Sequence, residues 1–185
     1  MSDYEELIKK GEKFHGHICV GIVIGTRMTM IGMRELGMNP MVPNNNLRVY
    51  TEIDRCYTDA MQAITGCSLG HRNLKYMEYG KTAATFMDTK TEKAVRVSIK
   101  KPFIVDHSKM KELNEFYSQA PEEEILRIEN VSINVIRDDG RQTSNSLEIC
   151  SICSEGVRDN HHTIVDGKVM CKNCAYGSYY TVLGG

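Results

Sequence analysis

Apolar residues recur at helical spacing at Tyr4, Leu7, Ile8 and Gly11, which predicts a short amphipathic helix over residues 3–13. The chain then passes through Phe14-His15-Gly16-His17-Ile18-Cys19-Val20-Gly21, and a second helical pattern runs to about Leu36, where Gly37 supplies a C-terminal stop. Along that second helix Gly21, Gly25, Thr29 and Gly32 form a stripe of small side chains at spacings of three and four. Each Gly costs a helix about 1 kcal/mol relative to Ala, so the stripe is read as a place where another backbone packs closely.

Pro40 to Asn46 is loop by composition. Leu47 to Ile53 alternates, with Leu47, Val49 and Ile53 facing one way and Arg48, Tyr50 and Glu52 the other, the pattern of a strand. Thr58 or Asp59 is suited to cap a short helix that ends at Gly66, and Cys67 to Asn73 is a second loop. Ala83 to Met87 and Ala94 to Lys100 flank a polar turn and predict a hairpin with Val95, Val97 and Ile99 inward. Two short helices are expected at Ser108 to Tyr117 and Pro121 to Leu126, then a strand at Val131 to Ile136 and a turn at Asp138-Asp139-Gly140. Arg141 to Ser146 is the best linker. Hairpins mixed with unevenly placed helices predict an α+β fold, with a core domain over 1–145 and a small unit over 146–185.

A chain of 185 residues is long enough to bury an ordinary core without disulfides. Its net charge of −1 removes the basic excess that nucleic-acid binding calls for. The longest strongly apolar stretch, Ile18 to Ile24, falls far short of the roughly 20 residues of a membrane span. The acidic start Met1-Ser-Asp-Tyr-Glu-Glu is unlike a secretory signal, so a cytoplasmic protein is expected. In that compartment seven cysteines read as thiols or metal ligands, and the odd count forbids complete intrachain pairing.

Four of the seven form two Cys-x-x-Cys pairs, Cys150/Cys153 and Cys171/Cys174, separated by 17 residues. Each tight turn aims two thiolates at one ion, and two turns complete a tetrahedron with metal–sulfur distances near 2.3 Å. A structural zinc is expected, with a rubredoxin-like iron site and a redox dithiol as the weaker alternatives. Thr163-Ile164-Val165 and Lys168-Val169-Met170 flank an Asp166-Gly167 turn and predict a hairpin between the pairs, and the eleven residues after Cys174 leave room for a short helix. Together these favour a treble-clef-like finger. Residues 148–185 carry three basic and four acidic side chains, a balance suited to protein docking rather than to nucleic acid.

The other chemistry-bearing group is His15, His17 and Cys19, with Cys56, Cys67 and His71 elsewhere in the first half. Residues two apart in an extended segment point the same way about 6.6 Å apart, so a bend lets His17 and Cys19 share one ion. His15 needs a sharper bend to join them. Gly16 and Gly21 supply that freedom, and Cys19 precedes a helix start that favours a thiolate.

Phe14-His-Gly-His-Ile-Cys-Val-Gly, Gly25-Thr-Arg27-Met28, Cys56-Tyr-Thr-Asp59-Ala60-Met-Gln62, Thr65-Gly66-Cys67-Ser-Leu-Gly70, Asn73-Leu74, Tyr79-Gly80-Lys81 and Val95-Arg96-Val97 together resemble the FmdE family, the FmdE component of formylmethanofuran dehydrogenase and its relatives. The resemblance implies an α+β core that tends to form a homodimer, often followed by a zinc finger. It implies a metal or active site in a core cleft at His17, Cys19, Cys56 and Cys67, with Asp59, Gln62, Asn73 and Lys81 as polar neighbours. His15, His17, Cys19, Cys67, Asp59 and Lys81 are then the catalytic candidates. Beside the finger zinc, a second metal, again zinc, is expected in the cleft, and formylmethanofuran dehydrogenase type subunits are the implied partners. Two departures stand out: Val20 replaces the family's usual Pro, and Gly70-His71-Arg72-Asn73 replaces Gly-Lys-Gly-Asn. An oxidoreductase subunit of one-carbon metabolism and methanogenesis is the first functional expectation. A non-catalytic adaptor or metal-handling protein that docks through its finger is the second, and a domain with inert buried cysteines is the third.

Overall fold

The computed structural model describes residues 2–104, 106–133 and 146–183. The chain divides into two compact units, 1–132 and 133–185. The expected turn at 138–140, the linker positions 141–145 and the strand positions 134–136 lie outside the described residues.

Helix α1 (Asp3–His15) starts at a reciprocal box in which Glu5 N–H donates to Ser2 Oγ at 3.3 Å and Ser2 N–H donates to Glu5 Oε2 at 2.9 Å. It runs two residues past the expected end and stops at Gly16, whose left-handed φ of 101° suits a residue without Cβ. Helix α2 (Val20–Glu35) is buried on most sides, with Ile22, Ile24, Met28, Ile31 and Met33 fully enclosed. Its small-residue stripe explains how: a Cβ on Gly25 would lie 2.6 Å from the Tyr57 carbonyl oxygen, and one on Gly32 would lie 2.1 Å from the Phe86 ring. Close packing on two sides is therefore the stripe's role.

Strands β1 (Leu47–Thr51), β2 (Leu74–Tyr76), β3 (Ala83–Asp88), β4 (Ala94–Ile99) and β5 (Leu126–Val131) form one sheet in the order β2-β1-β3-β4-β5. Only β2 is parallel to its neighbour. Val49, Phe86 and Val95 stand opposite one another and join α2 in the main core. The row Tyr50, Thr85, Arg96 and Glu129 lies on the other face. There Arg96 donates to the buried Glu52 at 2.7 and 2.9 Å and to Glu129 at 3.2 Å, which keeps the buried carboxylate paired.

Helix α3 (Cys56–Thr65) begins earlier than the capping signal implied. Its N-cap is Arg55, without a side-chain cap, because the two expected caps are engaged elsewhere: Thr58 Oγ1 donates to Ile53 O at 2.6 Å and Asp59 meets a histidine. After a 3-10 turn at His107–Lys109 come α4 (Met110–Gln119) and α5 (Glu122–Ile125). Arg27 on α2 donates to the carbonyls of Tyr117 and Ala120 at 2.8 and 2.7 Å, satisfying the end of α4. A strand that the sequence did not predict lies at Leu126–Val131, meeting the expected 131–136 at Val131. Its alternation Leu-Arg-Ile-Glu-Asn-Val was masked by the acidic helix start immediately before it.

In the second unit β6 (Leu147–Ile149) pairs with β7 (Gly156–Arg158), and β8 (Thr163–Val165) pairs with β9 (Lys168–Met170) across the Asp166-Gly167 turn. Helix α6 (Lys172–Tyr176) is capped by Cys171 and contains Cys174, so the short helix encloses the last cysteine rather than following it. The architecture is α+β, with a small unit whose cysteine group fits a zinc finger.

Candidate functional site

The second unit gathers Cys150, Cys153, Cys171 and Cys174 so that all four Sγ atoms lie within 4.8 Å of one another. Sulfurs on a tetrahedral zinc with 2.3 Å bonds are roughly 3.8 Å apart, and Cys153 Sγ to Cys171 Sγ is 3.8 Å. Backbone N–H groups point at the sulfurs, from Cys171 to Cys150 Sγ at 3.3 Å and from Cys174 to Cys171 Sγ at 3.4 Å. Backbone N–H donation pulls the Cys150 thiol down to about 6, whereas hydrogen bonding to Cys171 heads the causes that push Cys174 up to about 12. Cys150, Cys153, Cys171 and Cys174 would hold the ion as thiolates, and their sulfur spacing fits it.

The first unit builds its group where α1 ends and α2 begins. His15 is the last residue of α1, the left-handed Gly16 turns the chain, His17 follows, and Cys19 is the N-cap of α2. The donor atoms of His15, His17 and Cys19 lie within 4.8 Å of one another. Cys19 Sγ is 3.8 Å from His15 Nε2, and the two imidazole rings stand 4.7 Å apart at 41°. On the far side of His15, Nδ1 is 2.7 Å from Asp59 Oδ2 on α3. With Nδ1 donating to that carboxylate, Nε2 keeps its lone pair toward the group. Cys19 is 7% exposed and the His15 side chain 16%, while His17 is exposed, so the group opens to solvent on one side.

Cys56, the first residue of α3, adjoins Cys19; burial, a hydrogen bond with Cys19 and the nearby sulfur charge push its thiol up to about 11. Cys67 does not join the three. It sits in the main core with its thiol donating to Leu47 O at 3.6 Å, and burial raises its pKa. Asn73 is taken up by its own loop, where its Oδ1 accepts from Ser68 N–H at 2.9 Å. Lys81 is exposed, with Nζ 6.0 Å from the Tyr79 ring centroid, and His71 is exposed. Gln62 lies part-buried on α3. The sharper bend that His15 needed is made at Gly16, whose left-handed φ of 101° turns the chain directly after the helix-terminal His.

The profile described as "FmdE, Molybdenum formylmethanofuran dehydrogenase operon" matches residues 14–139, from the histidine motif through the sheet. The chain belongs to the FmdE family. A curated relative of Archaeoglobus fulgidus, named "Probable S-adenosyl-L-methionine-binding protein", is 30% identical over 214 aligned residues covering all of this chain. The FmdE chain spans about half of that relative, 56% of its length. In fold it is similar to the crystal structure of a tungsten formylmethanofuran dehydrogenase FmdE-like protein from Syntrophus aciditrophicus, with a TM-score of 0.66, 23% identity, and coverage of 96% of this chain and 95% of that one. Among the described residues no helix of this FmdE protein is long and apolar enough to cross a membrane.

Proposed function

We propose that this FmdE protein is a cytoplasmic, homodimeric accessory subunit related to formylmethanofuran dehydrogenase complexes, with one structural zinc in the finger and a second zinc in the core. The observation that carries the reading is the convergence of His15, His17 and Cys19, with Asp59 fixing His15 from behind. Those three side chains provide three ligands and leave the exposed His17 side open. When bound, such an ion supplies Lewis acidity toward a carbonyl or a water. His15 and Cys19 orient it from a buried edge, and Asp59 holds the proton on His15 Nδ1. Cys56 borders the group, and Cys67 and Lys81 are assigned to its scaffold and surroundings. The core domain is assigned to 1–145 and the finger to 146–185.

The second reading is a non-catalytic adaptor that docks through its finger. It draws on the finger's exposed apolar side chains, including Ile152, Ile164, Tyr176 and Tyr179.

The test is an anaerobic metal count per chain on the native protein, Cys19→Ser and Cys171→Ser. Two metals in the native protein and one in each variant are expected. A native count of one that Cys19→Ser leaves unchanged removes the core metal and leaves the adaptor reading.

A further inference from the structure

Cys19 and Cys56 stand side by side where the starts of α2 and α3 meet, the first as N-cap and the second as opening residue. Gly21 keeps the space beside them clear: a Cβ at that position would lie 2.7 Å from Cys56 Cβ and 3.6 Å from Cys19 Sγ. Cys56 packs against the buried cluster of Cys19, Ile22 and Ala60. A larger residue at that position would collide with Cys56, so the fold keeps the two cysteines as packed neighbours. One of them, Cys19, belongs to the three-donor group and the other does not. Cys56 is half-buried, so a dissolved reagent can approach the pair from its side.

We propose that Cys19 and Cys56 are a dithiol that a low-molecular-weight disulfide oxidises to an intramolecular bond, and that this bond and a metal on His15, His17 and Cys19 exclude one another. In the first step one cysteine thiolate attacks the reagent RS–SR, forming a mixed disulfide and releasing RS⁻. In the second step the neighbouring thiolate attacks the protein-bound sulfur and releases the second RS⁻. The two protons lost by the cysteines end on the two released thiols, so two protein thiols and one reagent disulfide become one protein disulfide and two reagent thiols. Two electrons pass from the protein to the reagent. Once in a disulfide, Cys19 has no thiolate charge to offer a cation, and the group falls to two neutral imidazoles. Zinc strongly prefers thiolate and imidazole together over two imidazoles alone. The exclusion rests on the core metal reading above, whereas the bond itself does not.

The test uses the full chain with its finger saturated with zinc, treated with oxidised glutathione under argon. Peptide mapping should find a Cys19–Cys56 linkage with the loss of two hydrogens, and a metal count should fall by one ion per chain; dithiothreitol should restore both. Cys56→Ser, with Cys56→Ala as the second variant, should keep its core metal through the same treatment. Absence of the Cys19–Cys56 linkage overturns the proposal, as does a linked protein that still holds the core ion. A reduced native protein that takes up no core metal overturns the reading under Proposed function instead, and the peptide map then judges the dithiol alone.

Discussion

The two cysteine groups of this protein differ in what surrounds them. The finger places four thiols among three-residue strands and a five-residue helix, with Ile149, Ile152, Ile164 and Tyr176 exposed, so it has little apolar core to hold its shape. The core group borrows its geometry from helices already fixed by packing: α1 meets α2 and α3 at Gly11, where a Cβ would lie 2.9 Å from Ile22 Cγ2 and 3.9 Å from Ala60 Cα. On the proposed reading a metal would hold the first together, whereas in the second packing already sets the geometry of the donors. Closed four-thiolate coordination suits the former and a three-donor group with one open side suits the latter.

The largest effect should come from removing the finger's ion. Binding of zinc to comparable units is worth on the order of 10 kcal/mol, so Cys171→Ser or a strong chelator should abolish amide-exchange protection over 146–183 while the sheet of the first unit keeps its protection. Loss of protection in both units together would break the comparison. Gly32→Ala should come next, because its Cβ meets the Phe86 ring at 2.1 Å. A destabilisation of about 1–3 kcal/mol in urea unfolding of the first unit is expected, with finger zinc retained.

Asp59→Asn sharpens the contrast at nearly constant stability. Losing the carboxylate behind His15 should weaken core metal affinity roughly 10- to 100-fold in a cobalt titration followed by absorption, leaving the finger's affinity unchanged. An unchanged core affinity would separate Asp59 from the metal group. Cys67→Ser should do least. A cost of about 1 kcal/mol and an unaltered metal count are expected, since that thiol faces Leu47 O within the core; loss of an ion would return Cys67 to the ligands.

Much of this was legible in the chain. The α2 stripe, the β3–β4 hairpin and the paired knuckles follow from spacing alone, because each is a local periodicity with one physical solution. What escaped was decided by partners distant in sequence. Spacing offered Asp59 as a helix cap and only the family resemblance set it near the site; its partner there, His15, lies 44 residues away. Strand β2 has three residues, too few for a period, and is a strand because β1 lies beside it. Cys67 resembled a ligand by residue type, but its backbone is carried into the core by the turn after α3, whose Gly66 ends the helix at φ 71°. Residue identity marked the chemistry, and only tertiary packing shows which of these side chains come together.

The Ser2–Glu5 box and the Gly16 stop give α1 a second meaning as a measuring rod. Between them lie thirteen residues, and the last carries the imidazole. At 3.6 residues per turn, one residue inserted between Glu12 and Lys13 would leave Leu7, Ile8 and Gly11 seated and swing His15 by about 100°, out of reach of both Asp59 and Cys19. The count of residues in that first helix is thus part of the site's address, as binding as the identity of any ligand, and a variant could keep every motif residue in this chain while losing the centre through a single change in length.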